Sequence, residues 1–154
     1  MNRKVLILMG SDSDSDTLSH MQPYLDFFGI DADWKVSSAH RNPETTADLA
    51  KNAAKEGYAA IIAAAGMAAH LAGVCAAHTM LPVIAIPLAA TLNGLDALLS
   101  SVQMPAGVPV AVVSIGKAGA INAACLAARF IAVDDAYMRL KLDEFKKMGS
   151  RLKK

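Results

Sequence analysis

The chain has 154 residues, 54% of them hydrophobic but only 5% aromatic, and 15 basic against 14 acidic side chains leave a formal charge of +1. That balance, with no basic block outside the terminal KKMGSRLKK, excludes nucleic acid as an expected partner, and the tail reads as the solvated end of a helix. The length predicts one domain over 1–154, and a core of Ala, Val, Ile and Leu leaves more small apolar surface than one subunit hides easily, so a homo-oligomer is expected.

The apolar run near the N-terminus, VLILM, is too short for a signal peptide or a membrane span, so a cytoplasmic protein with no membrane partner is expected. That run, Val5–Met9, predicts the first strand. A helix follows over Asp16–Phe28, where Leu18, Met21, Tyr24, Leu25 and Phe28 share one face and Gly29 stands ready as the C-cap. Strand Ala32–Val36 leads to a helix over Pro43–Glu56, with Pro43 in its first turn and Asn42 as its cap. Strand Ala59–Ala64 precedes helix Ala68–Thr79, strand Pro82–Ile86 precedes helix Asn93–Val102, and strand Pro109–Ser114 precedes helix Ala118–Val133. A last helix, Ala136–Met148, carries Tyr137, Leu140, Leu142 and Phe145, has no strand after it, and is free to pack on a neighbouring subunit.

Strands that are apolar at nearly every position belong in a parallel sheet covered on both faces, which gives an α/β, doubly wound architecture. Ligands of such sheets bind beyond the carboxyl ends of the strands, where loops enter helices. That rule selects GSDSDSD, SSAHRNP, AGMAAHLAG, PLAATLNG and IGKAGAIN.

In the first loop, backbone amides with the hydroxyls of Ser11 and Ser13 can hold a phosphate, while Asp14 suits a ribose hydroxyl or a helix cap. Asp12, Asp14 and Asp16 have the opening spacing of a calcium loop, but Thr17 stands where that loop needs Gly and Pro23 where it needs Glu. A phosphoacceptor receiver would place an aspartate after the third strand, where this chain has AAAG, although Lys117 would suit one. In the second loop, Arg41 can grip a phosphate with two hydrogen bonds, Ser37 or Ser38 can add a hydroxyl, and His40 beside a bound anion can give and take a proton near neutral pH. In the third, Gly66 and Gly73 bring backbone close to a neighbour, and His70 can bond a ligand, cap the helix or face another subunit. His20 and His78 read as structural or exposed. Cys75 and Cys125 lie in Ala-rich runs as small core residues rather than nucleophiles. No histidine pair has convincing metal spacing and GKAGA is no nucleotide fingerprint, so neither a metal nor a nucleotide cofactor is expected from these residues.

Taken together, GSDSD, SAHR, AAHLAG, LNGLDALLSSVQMPAGVPVA and IGKAGAINAACLAA resemble the N5-carboxyaminoimidazole ribonucleotide mutase family, class I, in matching order from Val5 to about Ala132. The resemblance implies a flavodoxin-like three-layer α/β/α sandwich with a central parallel sheet, assembled as a homo-octamer with active sites at subunit junctions and no metal or organic cofactor. It implies conversion of the carbamate substrate to 4-carboxy-5-aminoimidazole ribonucleotide in purine (IMP) biosynthesis, through loss and recapture of CO2. Position by position, Ser11, Asp14 and Arg41 match substrate-binding residues and His40 the catalytic histidine. Ser13, Ser38, Gly66 and His70 join them as candidate substrate contacts from their places in the same loops. Ala64, Met67 and Ala72 depart from the family pattern, standing where it has two glycines and a proline, and PLAATLNG is one residue short. The alternatives are the related class II carboxylase, which uses CO2 directly but carries SAHK and SNALSG in the matching loops, and a nucleotide-binding module without turnover.

Overall fold

A computed structural model describes residues 3–152, so the last two residues of the basic tail lie outside the described residues. Its centre is a five-stranded parallel sheet in the order β2-β1-β3-β4-β5, built from β1 (Lys4–Met9), β2 (Asp31–Val36), β3 (Ala60–Gly66), β4 (Val83–Leu88) and β5 (Ala111–Val112). Helices cover both faces, as the expected flavodoxin-like sandwich requires. Alternation along the strands divides the core. Val5, Ile7, Ile62, Ile84 and Ile86 face one side, and Leu6, Leu8, Ile61, Val83 and Ala85 face the other.

The first face is covered by α1 (Ser15–Leu18), α2 (Gln22–Phe28), α6 (Lys117–Ala132) and α7 (Ala136–Lys147). Leu18, Met21, Leu25 and Phe28 are fully buried there, against a stripe of alanines at 120, 123, 124, 127 and 128 whose small side chains let α6 lie close to the sheet. Phe28 alone anchors on the order of 3–5 kcal/mol of that core. The second face is covered by α3 (Pro43–Asn52) and α4 (Leu71–His78), with Ala50, Ala53, Leu71, Ala72 and Cys75 buried. The α5 helix (Leu95–Val102) packs beside β4.

The expected helix over Asp16–Phe28 is interrupted by a 3-10 turn at Ser19–Met21. Pro23 has no N–H to give the Ser19 carbonyl, so the Gln22 N–H takes it instead and tightens the turn. Gly29 closes α2 in the left-handed conformation (φ 65°, ψ 42°), as expected. Asn42 stands at the start of α3, but its side chain makes no cap bond. Its carbonyl instead accepts from the Thr46 backbone and hydroxyl, both at 3.0 Å. The α3 helix stops at Asn52 rather than Glu56, in a turn closed by Gly57 (φ 83°).

Strand β4 runs through Pro87, beyond its expected end, because only an N–H is lost and the Pro87 carbonyl still accepts from Gly116 at 2.8 Å. Strand β5 is much shorter than Pro109–Ser114. It is an edge strand, and its ladder with β4 spans Ala111 and Val112 alone. The last helix folds back on its own subunit. Phe145 is buried against Tyr24, Phe27 and Phe28, while Tyr137 and Leu140 remain exposed.

Candidate active site

The strand order reverses between β1 and β3, and the loops at the carboxyl ends of these neighbours diverge there into a crevice. A cavity of about 610 Å³ occupies that place. Seven of the eight expected site residues line it: Ser11, Ser13, Asp14, Ser38, His40, Gly66 and His70. Arg41 does not. It is exposed in the turn before α3, where its backbone N–H donates to Ser38 Oγ at 3.3 Å.

The first loop is shaped by its own short side chains. Ser11 caps the 3-10 turn Asp12–Asp14 in a reciprocal box: its Oγ accepts from Ser13 N–H at 3.4 Å, and its N–H donates to the Asp14 carboxylate at 3.1 Å. Ser13 Oγ lies 3.0 Å from Ser11 Oγ, which gathers both hydroxyls at one edge of the cavity. Partial burial pushes the Asp14 carboxyl above its ordinary range, against the Ser11 N–H that favours its ionised form.

In the second loop the two serines part company. Ser37 is buried and shares a 2.7 Å hydrogen bond with the Thr46 hydroxyl, which ties the loop to α3. Ser38 is left to face the cavity. That anchoring sets the direction of His40, which projects across the crevice and meets His70 with 2.8 Å between Nε2 and Nδ1.

His70 is positioned by the third loop. The helix expected from Ala68 begins only at Leu71, because Ala69 N–H is taken by the Met67 carbonyl (2.9 Å) and by Ser100 Oγ of α5 (3.0 Å). His70 stands at the N-cap position of α4 without making a cap bond. Its ring is thus available to His40. Gly66 makes the close approach expected of it: a Cβ there would sit 3.0 Å from the Ala90 Cβ.

Three further residues of the cavity wall stand outside the expected site set. His20, read as structural, lines the wall with its Nδ1 3.2 Å from the Thr17 carbonyl. Lys117, set aside with the receiver comparison, lines it from the first position of α6. Met67 also lines it, with a positive φ (56°) at a position where the family pattern has glycine. Cys75 lies outside the cavity wall, its thiol pushed up to about 12 by burial, as suits a core residue and not a nucleophile. Among the described residues no group of three or more His, Cys, Asp or Glu is placed to hold a metal ion.

The family model described as AIR carboxylase matches residues 4–151. The chain belongs to the AIR carboxylase family. Among its relatives, the N5-carboxyaminoimidazole ribonucleotide mutase of Brucella melitensis is 49% identical over 148 residues, covering 96% of this chain and 91% of that one. The mutase of Bacillus subtilis is 50% identical over 145 residues, covering 94% and 90%. The Escherichia coli K12 enzyme of the same name is 43% identical over 145 residues, covering 94% and 86%. The crystal structure of Treponema denticola PurE superposes with a TM-score of 0.85 at 29% identity, covering 96% of this chain and 91% of that one. These relatives thus match nearly the full length of this chain, and the solved structure shares its fold.

Proposed function

We propose that this chain is an isomerase that converts N5-carboxyaminoimidazole ribonucleotide to 4-carboxy-5-aminoimidazole ribonucleotide in purine biosynthesis, as one mutase domain spanning 1–154. The observation that carries the reading is the His40–His70 hydrogen bond inside the switch-point cavity, in a chain about half identical to mutases along nearly its whole length.

The chemistry divides into two proton movements. As the carbamate C–N bond breaks and CO2 leaves, the exocyclic nitrogen needs a proton, which protonated His40 donates. Carbon 4 of the aminoimidazole then attacks CO2, and neutral His40 removes the proton from carbon 4 to restore the aromatic ring. One imidazole closes the cycle with no net proton gained or lost. His70 restricts that imidazole: in an N–H···N bond one facing nitrogen donates and the other accepts, so His40 is held in one orientation with a defined proton.

Ser11, Ser13 and Asp14 are suited to the ribose phosphate end of the substrate, with Ser38 across from them and Arg41 reaching a phosphate from the rim. Ala65, Ala68, Ala89 and Ala90, with Gly66 between the loops, give the cavity an apolar wall suited to holding CO2 between the two steps. The reaction as written calls for no metal or organic cofactor. The exposed apolar face of α5, with Leu95, Leu99 and Val102 at helical spacing and Leu92 beside them, supports self-association, here read as the cytoplasmic homo-octamer that the family resemblance implies. Among the described residues, no helix is long and apolar enough to cross a membrane.

The deciding experiment supplies N5-carboxyaminoimidazole ribonucleotide to one assay and aminoimidazole ribonucleotide with bicarbonate to another, and follows the carbon-carboxylated product in both. Fast conversion of the first, with the second needing unphysiologically high bicarbonate, is expected. Efficient use of the second with little of the first would make the chain a direct carboxylase, and silence in both would leave a binding module.

A further inference from the structure

Four described residues other than glycine have a positive φ: Met67 (56°), Leu92 (44°), Asn93 (53°) and Ser150 (56°). Of these, Met67 alone lines the cavity. The left-handed region is open to glycine without penalty and is strained for a residue with a Cβ and a long side chain. At Met67 burial in the fold offsets only part of that strain, since the residue is 56% exposed. A strained backbone that persists on a cavity wall points to a role for the side chain it presents there.

The backbone beneath that side chain is fixed. The Met67 carbonyl accepts Ala69 N–H at 2.9 Å and lies 3.3 Å from Ser100 Oγ, which itself accepts Ala69 N–H. The turn is therefore held from below by α5, and the thioether is carried on the wall three residues before His70, whose ring meets His40. A flexible, polarisable thioether is well suited to lie against a flat heteroaromatic ring whose electron distribution changes during a reaction.

We infer that Met67 is a specificity-determining residue that lays its thioether against the aminoimidazole ring of the substrate and holds that ring beside the His40–His70 pair. The inference rests on the mutase reading proposed above. It assigns Met67 to the ring and not to the ribose phosphate, for which the Ser11–Asp14 loop of the same cavity is proposed.

The test compares the full-length parent with Met67→Gly, Met67→Leu and, as a control far outside the cavity wall, Met80→Leu at a fully exposed position. Four quantities are read: turnover of N5-carboxyaminoimidazole ribonucleotide, calorimetric affinity for aminoimidazole ribonucleotide and for ribose 5-phosphate, thermal midpoint, and oligomer size. Met67→Gly is expected to melt higher, because glycine relieves the strain, and to bind ribose 5-phosphate as the parent does. Its KM and its Kd for the ring-bearing nucleotide should rise roughly two- to tenfold, the fold-change of one lost sulfur–ring contact. Met67→Leu should recover part of that loss, and Met80→Leu should match the parent throughout. Unchanged affinity of Met67→Gly for the ring nucleotide, equal loss for both ligands, or a change in oligomer size would each overturn the ring contact while leaving the mutase reading intact. A parent that fails to turn over its substrate would overturn that reading, and the ring contact with it.

Discussion

His40 Nε2 lies 2.8 Å from His70 Nδ1, with the two rings nearly perpendicular at 87°. The histidines are thirty positions apart in sequence, yet the parallel pairing of β1 with both β2 and β3 brings their loops to the same end of the sheet. The distance allows one ring to donate and the other to accept, so the two are not interchangeable. His40→Asn is expected to keep substrate affinity and lose about 10²–10⁴-fold in kcat, the span of one acid–base group. His70→Phe should lower kcat by up to about 10²-fold through misplacement of His40, with KM little changed and the pH profile altered. Steady-state kinetics of both variants check this; a His40→Asn variant with parental kcat would remove the proton shuttle.

Arg41 tests how much of the phosphate site a single subunit shows. It follows His40 directly but stays exposed at the rim, outside the cavity wall. A guanidinium on a phosphate makes charge-assisted hydrogen bonds of about 1.5–3 kcal/mol. Arg41→Ala should therefore raise KM roughly tenfold to a hundredfold with little effect on kcat. Unchanged KM would take Arg41 out of the phosphate site and point to Lys117, which lines the cavity, in its place.

Acid stability should depend on a clasp between the two ends of the chain. Asp135, buried at the N-cap of α7, accepts from Arg3 Nε at 2.7 Å and from Met138 N–H at 3.0 Å. The Arg3 hydrogen bond, aided by Met138 N–H, holds the Asp135 carboxyl down at about 2, below its ordinary 3.8. A carboxyl depressed on folding stabilises the fold above its unfolded value, and that contribution is lost as pH falls through the folded one. The window is thus about pH 4 down to pH 2. Asp135→Asn keeps a cap acceptor and removes the charge, so its thermal midpoint should be lower than the parent's at pH 7 and converge on it near pH 2. A gap of the same size at both values would exclude the clasp.

The parts of the fold legible in the sequence were those fixed by period and punctuation. Apolar strands, the Leu18–Phe28 face and Gly29 are local signals, and the switch-point rule then pointed to the loops that build the cavity. The parts that escaped depend on partners distant in sequence. Pro23 was visible, yet the 3-10 turn ahead of it follows from which donor reaches the Ser19 carbonyl. Asn42 has the right chemistry for a cap, but Thr46 competes for the local geometry and wins through its bonds to the Asn42 carbonyl and to Ser37. The short β5 reflects its edge position, which no composition shows. In the site, His20 reads in sequence as part of a continuous helix, but it stands in the 3-10 turn Ser19–Met21 and lines the cavity. The Met67 turn is likewise held in part by a residue distant in sequence, Ser100, whose Oγ lies 3.3 Å from the Met67 carbonyl.

Gly119 sets how closely α6 approaches the sheet. Gly119 is buried in the first turn of α6, and a Cβ built on it would lie 1.7 Å from the Ser114 carbonyl oxygen. That atom is backbone and cannot swing aside, so the helix and the segment that follows β5 would have to separate. Separation would also move Lys117 and Gly116, which line the cavity, and would strain the Gly116 N–H bond to the Pro87 carbonyl. Gly119→Ala should therefore lower stability by about 1–3 kcal/mol or more and reduce activity in the surviving folded fraction. Ala106→Ser, an exposed change in the loop before β5, should do neither. Chemical denaturation with parallel activity measurements separates the two effects: a Gly119→Ala variant as stable as the parent would mean that α6 is not packed so closely on the Ser114 backbone.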